Sequence, residues 1–275
     1  MDSQSGNNPR PVFFLSDGTG ITAETLGNTV LTQFEGVEFR KITLPFINTV
    51  EKARSTVEYI NFVAQAGPRP LVFSTTVNDE VRNVLRTCDA RFADLFDTYV
   101  HAIEEELGQK STHAQGRAHS IHDRRRYDNR IHAVNFAMEY DDGQSTRELA
   151  RAQVILVAPS RCGKTPTTLY LAMQHGIFAA NFPITEDDLE SQHLPASLKG
   201  LEPLCFGLIS DAEQLHQVRS ERRPGSSYAS LAQCSFELRE AERLFQRHNI
   251  PYVSSAARSI EEIAAVVIQE EELQR

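Results

Sequence analysis

Val154-Ile155-Leu156-Val157 followed by Ala158-Pro159-Ser160-Arg161-Cys162-Gly163-Lys164-Thr165 is the stretch of this chain whose residue types and spacing most clearly imply chemistry. An apolar strand runs into a short loop, and Gly-Lys-Thr then opens a helix. A phosphate cradle needs this order, because backbone N–H groups wrap the anion and the helix N-terminus adds about half a positive charge. Lys164 would reach the outermost phosphate of a nucleotide, and the Thr165 hydroxyl would ligate Mg²⁺. Arg161 adds a planar cation able to grip a phosphoryl group with two hydrogen bonds. The match to GxxxxGK[ST] is incomplete: Ala158 stands in the place of the first Gly, and Pro159 removes one N–H.

Phosphoryl transfer to a hydroxyl also needs a group that accepts a proton. Asp141 and Asp142, in the run Tyr140-Asp141-Asp142-Gly143, are the candidates, set against the ordinary reading of Asp-Gly as a solvated turn. Ser16-Asp17-Gly18-Thr19-Gly20 is a second glycine-rich strand-to-helix turn, either an anion site or a plain helix entry. Asp211 ends a strand and reads first as a helix cap. Cys162 reads as a small space-filling residue. His113, His119 and His122 with Asp123 fall in a non-helical stretch that does not enforce metal geometry.

The elements that must position these groups alternate. Strands are expected at 12–15, 38–44, 70–74, 154–157, 205–209 and 250–253. Helices are expected from 21, at 50–64, 78–86, 91–107, 128–138, 167–175, 211–221 and 229–247, with Ser259-Ile260-Glu261-Glu262 as a capping box for a last one. That alternation implies an α/β fold, a parallel-sheet N-terminal domain and a C-terminal P-loop-containing, kinase-like α/β domain. Residues 1–11 read as a disordered tail, 12–145 as the first domain with a mobile loop at 108–126, and 146–275 as the nucleotide-binding domain.

Composition sets the limits. The 275 residues carry 28 Lys+Arg against 37 Asp+Glu, a formal net charge of −9, which disfavours nucleic acid as a partner. The four cysteines, at 88, 162, 205 and 234, form no CxxC pair, and free thiols fit a reducing compartment. The N-terminal residues contain no apolar core of a signal peptide, and no apolar run approaches the ~18 residues of a membrane span. A cytoplasmic protein without a membrane partner is expected.

The motif Ser160-Arg161-Cys162-Gly163-Lys164-Thr165-Pro166-Thr167-Thr168-Leu169-Tyr170-Leu171-Ala172, with Ala179-Ala180-Asn181-Phe182-Pro183, resembles the signature of the phosphoenolpyruvate synthase / pyruvate, phosphate dikinase regulatory proteins. Phe14-Leu15-Ser16-Asp17-Gly18-Thr19, Ile42-Thr43-Leu44-Pro45-Phe46, Leu194-Pro195-Ala196-Ser197-Leu198-Lys199 and Tyr228-Ala229-Ser230-Leu231 extend the resemblance over most of the chain. It implies a bifunctional enzyme. ADP donates its β-phosphoryl group to a Thr of phosphoenolpyruvate synthase and inactivates it, and inorganic phosphate removes that group as pyrophosphate. Residues 158–165 would bind the nucleotide. A homodimer is open to such a protein. Two other readings stand beside this one, an ATP-dependent small-molecule kinase and a nucleotide-sensing interaction protein without turnover.

Overall fold

The computed structural model describes residues 8–113 and 124–273. Contacts divide the chain into two compact units, 1–122 and 123–275. The first holds β1 (Arg10–Leu15), α1 (Ile21–Leu31), β2 (Phe39–Leu44), α2 (Val50–Gln65), β3 (Leu71–Ser74), α3 (Asp79–Leu85), β4 (Arg91–Asp94) and α4 (Asp97–Leu107). Its four strands lie in the order β2-β1-β3-β4, all parallel. Alternation along β1 divides its side chains between two faces. Phe13 and Leu15 pack with Ala53, Ile60 and Leu85, on the side of α2 and α3, while Val12 and Phe14 pack with Ala23 and Leu31 of α1.

The second unit contains α5 (Arg124–Glu139), β5 (Val154–Ala158), α6 (Lys164–Tyr170), β6 (Ala179–Pro183), α7 (Glu186–Ser191), β7 (Cys205–Ile209), α8 (Ala212–Arg222), α9 (Leu231–Arg247), β8 (Tyr252–Ser254) and α10 (Ile260–Glu270). Here too all four strands are parallel, and the order, β6-β5-β7-β8, repeats that of the first sheet. All five residues of β5 are buried, as a strand covered by helices on both faces must be. In both units the order reverses at the first strand. In open parallel sheets such a reversal opens a crevice at the strands' C-terminal ends, where ligands bind.

Several expectations are corrected. The domain boundary falls at 122/123 rather than 145/146, because α5 buries Phe136 with Tyr140, Ile155 and Val157, and Ala133 and Ala137 with Ala172. The tail expected to reach residue 11 ends sooner, since Arg10 already pairs with Phe39 of β2. The helix expected over 91–107 divides into β4 and α4. Of the 108–126 stretch expected as a mobile loop, 114–123 lies outside the described residues; before it Ser111 N–H donates to Glu104 of α4 at 2.6 Å, and after it α5 begins at Arg124. His119, His122 and Asp123 lie outside the described residues.

Candidate functional site

At the C-terminal end of β5 the chain reverses through Pro159–Gly163 and enters α6, which continues as a π-helical turn (Leu171–His175) to Gly176. Arg161 and Gly163 both take left-handed backbone, with φ of 74° and 91°, the kind of alternation that turns neighbouring N–H groups toward one side as an anion cradle. Among the described residues, the backbone N–H groups of Arg161, Gly163 and Lys164 donate to no protein acceptor. The N-terminus of α6 thus has donors to offer a ligand.

Ala158 and Pro159, the two departures from the common loop pattern, acquire a role. Their carbonyl oxygens each accept a hydrogen bond from Lys164 Nζ, at 3.2 Å. Lys164 is 4% exposed and lies 3.9 Å from Asp142 Oδ1. Burial lowers its pKa from the usual lysine value, and the charges of Asp142 and Asp141 act in the opposite sense.

On the β6 side, Asp141 is fixed by two donors: the Thr165 hydroxyl at 2.7 Å and the Asn181 amide. Asn181 is fully buried in β6, and its Oδ1 accepts the Asp142 N–H at 2.8 Å. One asparagine therefore sets both the carboxylate of Asp141 and the backbone of Asp142. The turn fits because residue 143 is glycine: its φ is 67°, and a Cβ there would come within 3.2 Å of the Phe182 ring. Asp142 is exposed and Asp141 half-buried. The structure brings the sequence candidates Lys164, Thr165, Asp141 and Asp142 together.

Two positioning residues escape sequence reasoning. Asn181 carries a weak signal, a polar residue in a run of small and apolar ones. Arg219 carries none, since α8 is mostly polar and an arginine next to Val218 reads as a solvated surface residue. Its side chain is nevertheless fully buried. Its Nε and Nη2 donate to the Ser160 carbonyl at 3.3 and 3.0 Å, Nη1 donates to the Tyr228 carbonyl at 3.1 Å, and two nitrogens bind Glu237 at 3.0 and 2.6 Å. The Tyr228 ring lies 4.2 Å from the guanidinium carbon, and the Tyr228 hydroxyl donates to Ser160 Oγ at 2.9 Å. The loop between β5 and α6 is thus pinned from behind.

Other candidates resolve as structural. Asp17 Oδ2 accepts from the N–H groups of Val77 and Asn78, at 2.8 and 3.4 Å, tying the turn after β1 to the one after β3. Asp211 caps α8 through Glu213 N–H and Gln214 N–H. Cys162 is 1% exposed, and burial pushes its thiol up to about 12. The same cause raises Cys205 to about 12, Cys88 to about 11 and also Cys234. Since the thiolate is the reactive form, iodoacetamide at pH 8 is expected to leave all four cysteines unmodified in the folded chain and to label them only after denaturation. Mass spectrometry before and after urea checks this.

A family model described as Kinase/pyrophosphorylase matches residues 12–268. The chain belongs to the kinase/pyrophosphorylase family. Relatives from Stutzerimonas stutzeri (strain A1501) and Legionella pneumophila (strain Paris) are each 49% identical to it over 267 residues, covering 97% of this chain and 98% of theirs. One from Pseudomonas aeruginosa (strain LESB58) is 49% identical over 97% of both chains. Each of the three carries the name "Putative phosphoenolpyruvate synthase regulatory protein". The kinase/pyrophosphorylase match spans both units, so the first sheet is as much part of the family's architecture as the loop-bearing second. Among the described residues, no helix is long and apolar enough to cross a membrane.

Proposed function

We propose that this chain regulates phosphoenolpyruvate synthase in both directions. It transfers the β-phosphoryl group of ADP to a threonine of the synthase, releasing AMP and a proton. It also transfers that group from the phosphothreonine to inorganic phosphate, releasing pyrophosphate and restoring the hydroxyl. The carrying observation is the conjunction, around the Pro159–Gly163 loop, of backbone N–H groups with no protein acceptor, the buried Lys164 ammonium held on the Ala158 and Pro159 carbonyls, and the Thr165–Asp141 pair. Both half-reactions move one phosphoryl group between oxygen nucleophiles, which asks for positioning and charge neutralisation more than covalent chemistry. A single cradle serves both.

Roles divide by environment. The Thr165 hydroxyl and the Asp141 carboxylate, oxygen donors 2.7 Å apart, suit a hard cation and would hold Mg²⁺, which supplies neutralisation of the phosphate oxygens. Arg161, exposed at the crest of the loop, closes on the phosphates from outside. Asp142 is solvent-accessible and beside Lys164, and it takes the proton of the target hydroxyl in one direction and returns it in the other. Lys164→Ala is expected to lose a charge-assisted contact worth about 1.5–3 kcal/mol, a fall in transfer rate of about ten- to a hundredfold. Single-turnover kinetics read it, and a wild-type rate would remove Lys164 from the mechanism.

The deciding experiment incubates the chain with purified phosphoenolpyruvate synthase and either ADP or ATP, and follows phosphothreonine. ADP-dependent labelling is expected, with pyrophosphate appearing when phosphate is added to the modified target. Labelling of a small metabolite with ATP alone would instead mark a small-molecule kinase, and nucleotide uptake without transfer would mark a sensor.

A further inference from the structure

The turn that carries Asp141 and Asp142 stands on the β6 side of the loop between β5 and α6, and it has little freedom to retreat. Asp142 takes left-handed backbone, with φ of 47°, a conformation uncommon for a residue other than glycine. Its N–H is tied to Asn181 Oδ1 at 2.8 Å, and Asp141 is locked by Thr165 and Asn181. Two carboxylates are thereby fixed on this side, whereas Arg161 lines the other flank with Ser210 and Ser255, just past the ends of β7 and β8. Next to the carboxylates is Lys164, and most of its donors are spent. An ammonium has three N–H groups. Two engage the carbonyls of Ala158 and Pro159, each at 3.2 Å, and one remains. The lysine of an ordinary phosphate loop serves both outer phosphates of a triphosphate. Here a single donor is left for that work, and Asp142 Oδ1 stands 3.9 Å from the nitrogen.

We infer that Asp142 limits the length of the polyphosphate this loop accepts: its carboxylate bars a third phosphate and so selects a nucleoside diphosphate over the triphosphate. The inference rests on the phosphate-loop reading given above and names the residue that enforces its choice of donor. With one donor free, Lys164 serves one terminal phosphoryl group, and the space past that group borders a carboxylate. A γ-phosphate would set further negative charge against it, and a like-charge contact of this kind discriminates between ligands that otherwise fit equally well. The loop's exposed cation, Arg161, lines the opposite flank. The chemistry points the same way. Transfer of a β-phosphoryl group needs the side opposite the departing AMP open to the threonine hydroxyl, and a third phosphate on that phosphorus would crowd the approach. One side chain thus couples proton transfer to the choice of donor.

The test is titration calorimetry of ADP and ATP, with Mg²⁺ present and no synthase, so that binding is read without transfer. The wild-type chain is expected to bind ADP at least tenfold more tightly than ATP. Asp142→Asn keeps the size of the side chain and removes its charge. It is expected to strengthen ATP at least fivefold and to leave ADP within twofold. The side chain is 58% exposed, so the exchange leaves the fold in place, and a thermal melt at the wild-type Tm verifies that. A wild-type chain that takes ATP as tightly as ADP, or an Asp142→Asn variant with the wild-type ratio of the two affinities, would overturn the inference. A wild-type chain that takes up neither nucleotide would overturn the loop reading itself, so the two failures are told apart.

Discussion

Asp142→Asn is expected to slow threonine phosphorylation by about 10²–10⁴-fold, the usual range for loss of a positioned proton acceptor, while ADP affinity stays within about twofold. The amide keeps the size of the carboxylate, and the backbone hydrogen bond from residue 142 to Asn181 does not involve the side chain. Fold and cradle are therefore preserved. The phosphate-dependent reaction should fall in parallel if, as proposed, the group that takes the proton one way returns it the other. Asp141→Asn separates the two carboxylates. It disturbs the Thr165 hydroxyl and the Asn181 amide, so its defect should show as a raised Mg²⁺ requirement. Rapid-quench measurement of phosphothreonine across a Mg²⁺ series distinguishes these outcomes. A fully active Asp142→Asn would reassign the base.

Arg219→Met is the second large effect, and it is one of stability. Removing the guanidinium strands the Glu237 carboxylate, whose side chain is 11% exposed, with only Gln233 still donating to it. Breaking one partner of a buried pair costs about 3–5 kcal/mol, or roughly 6–20 °C in Tm for a unit of this size. The pair as a whole is worth far less than that, because desolvation opposes the attraction. Arg219→Met combined with Glu237→Leu should therefore regain most of the lost Tm. Nucleotide affinity should not return with it, since the Ser160 carbonyl would still lack its two guanidinium donors. Calorimetric melts alongside ADP titrations read both quantities.

The strand–loop–helix at 154–165 was legible because its signals are local: a buried apolar run, a glycine where φ must be positive, a lysine at the helix entry. Asp142 was a candidate proton acceptor set against a solvated Asp-Gly turn, and no sequence rule places it beside Lys164. Arg219 was hidden, since what buries it is the arrival of Tyr228 and Glu237 from other segments. β6 escaped notice because Ala179-Ala180-Asn181 lacks the β-branched residues that mark a strand. Its place at the sheet edge tolerates Pro183 at the end. β4 was absorbed into a helix because Phe92, Leu95, Phe96, Tyr99 and Ile103 keep a helical rhythm across the break before Asp97. A four-residue strand is too short to override that rhythm.

Neither sheet contains a single hairpin, and that governs how the chain acquires its shape. Two parallel neighbours cannot zip until the segment joining them has been gathered in, so every pairing carries a loop-closure cost before it yields a bond. The first sheet needs nothing beyond Asp94. During synthesis it can condense while the remainder is still on the ribosome, in the vectorial order that domain-wise folding favours. Refolding from denaturant forfeits that head start. The eight described strands then search at once, with unpaired edges open to neighbouring molecules, so the yield of refolded chain is expected to fall as its concentration rises.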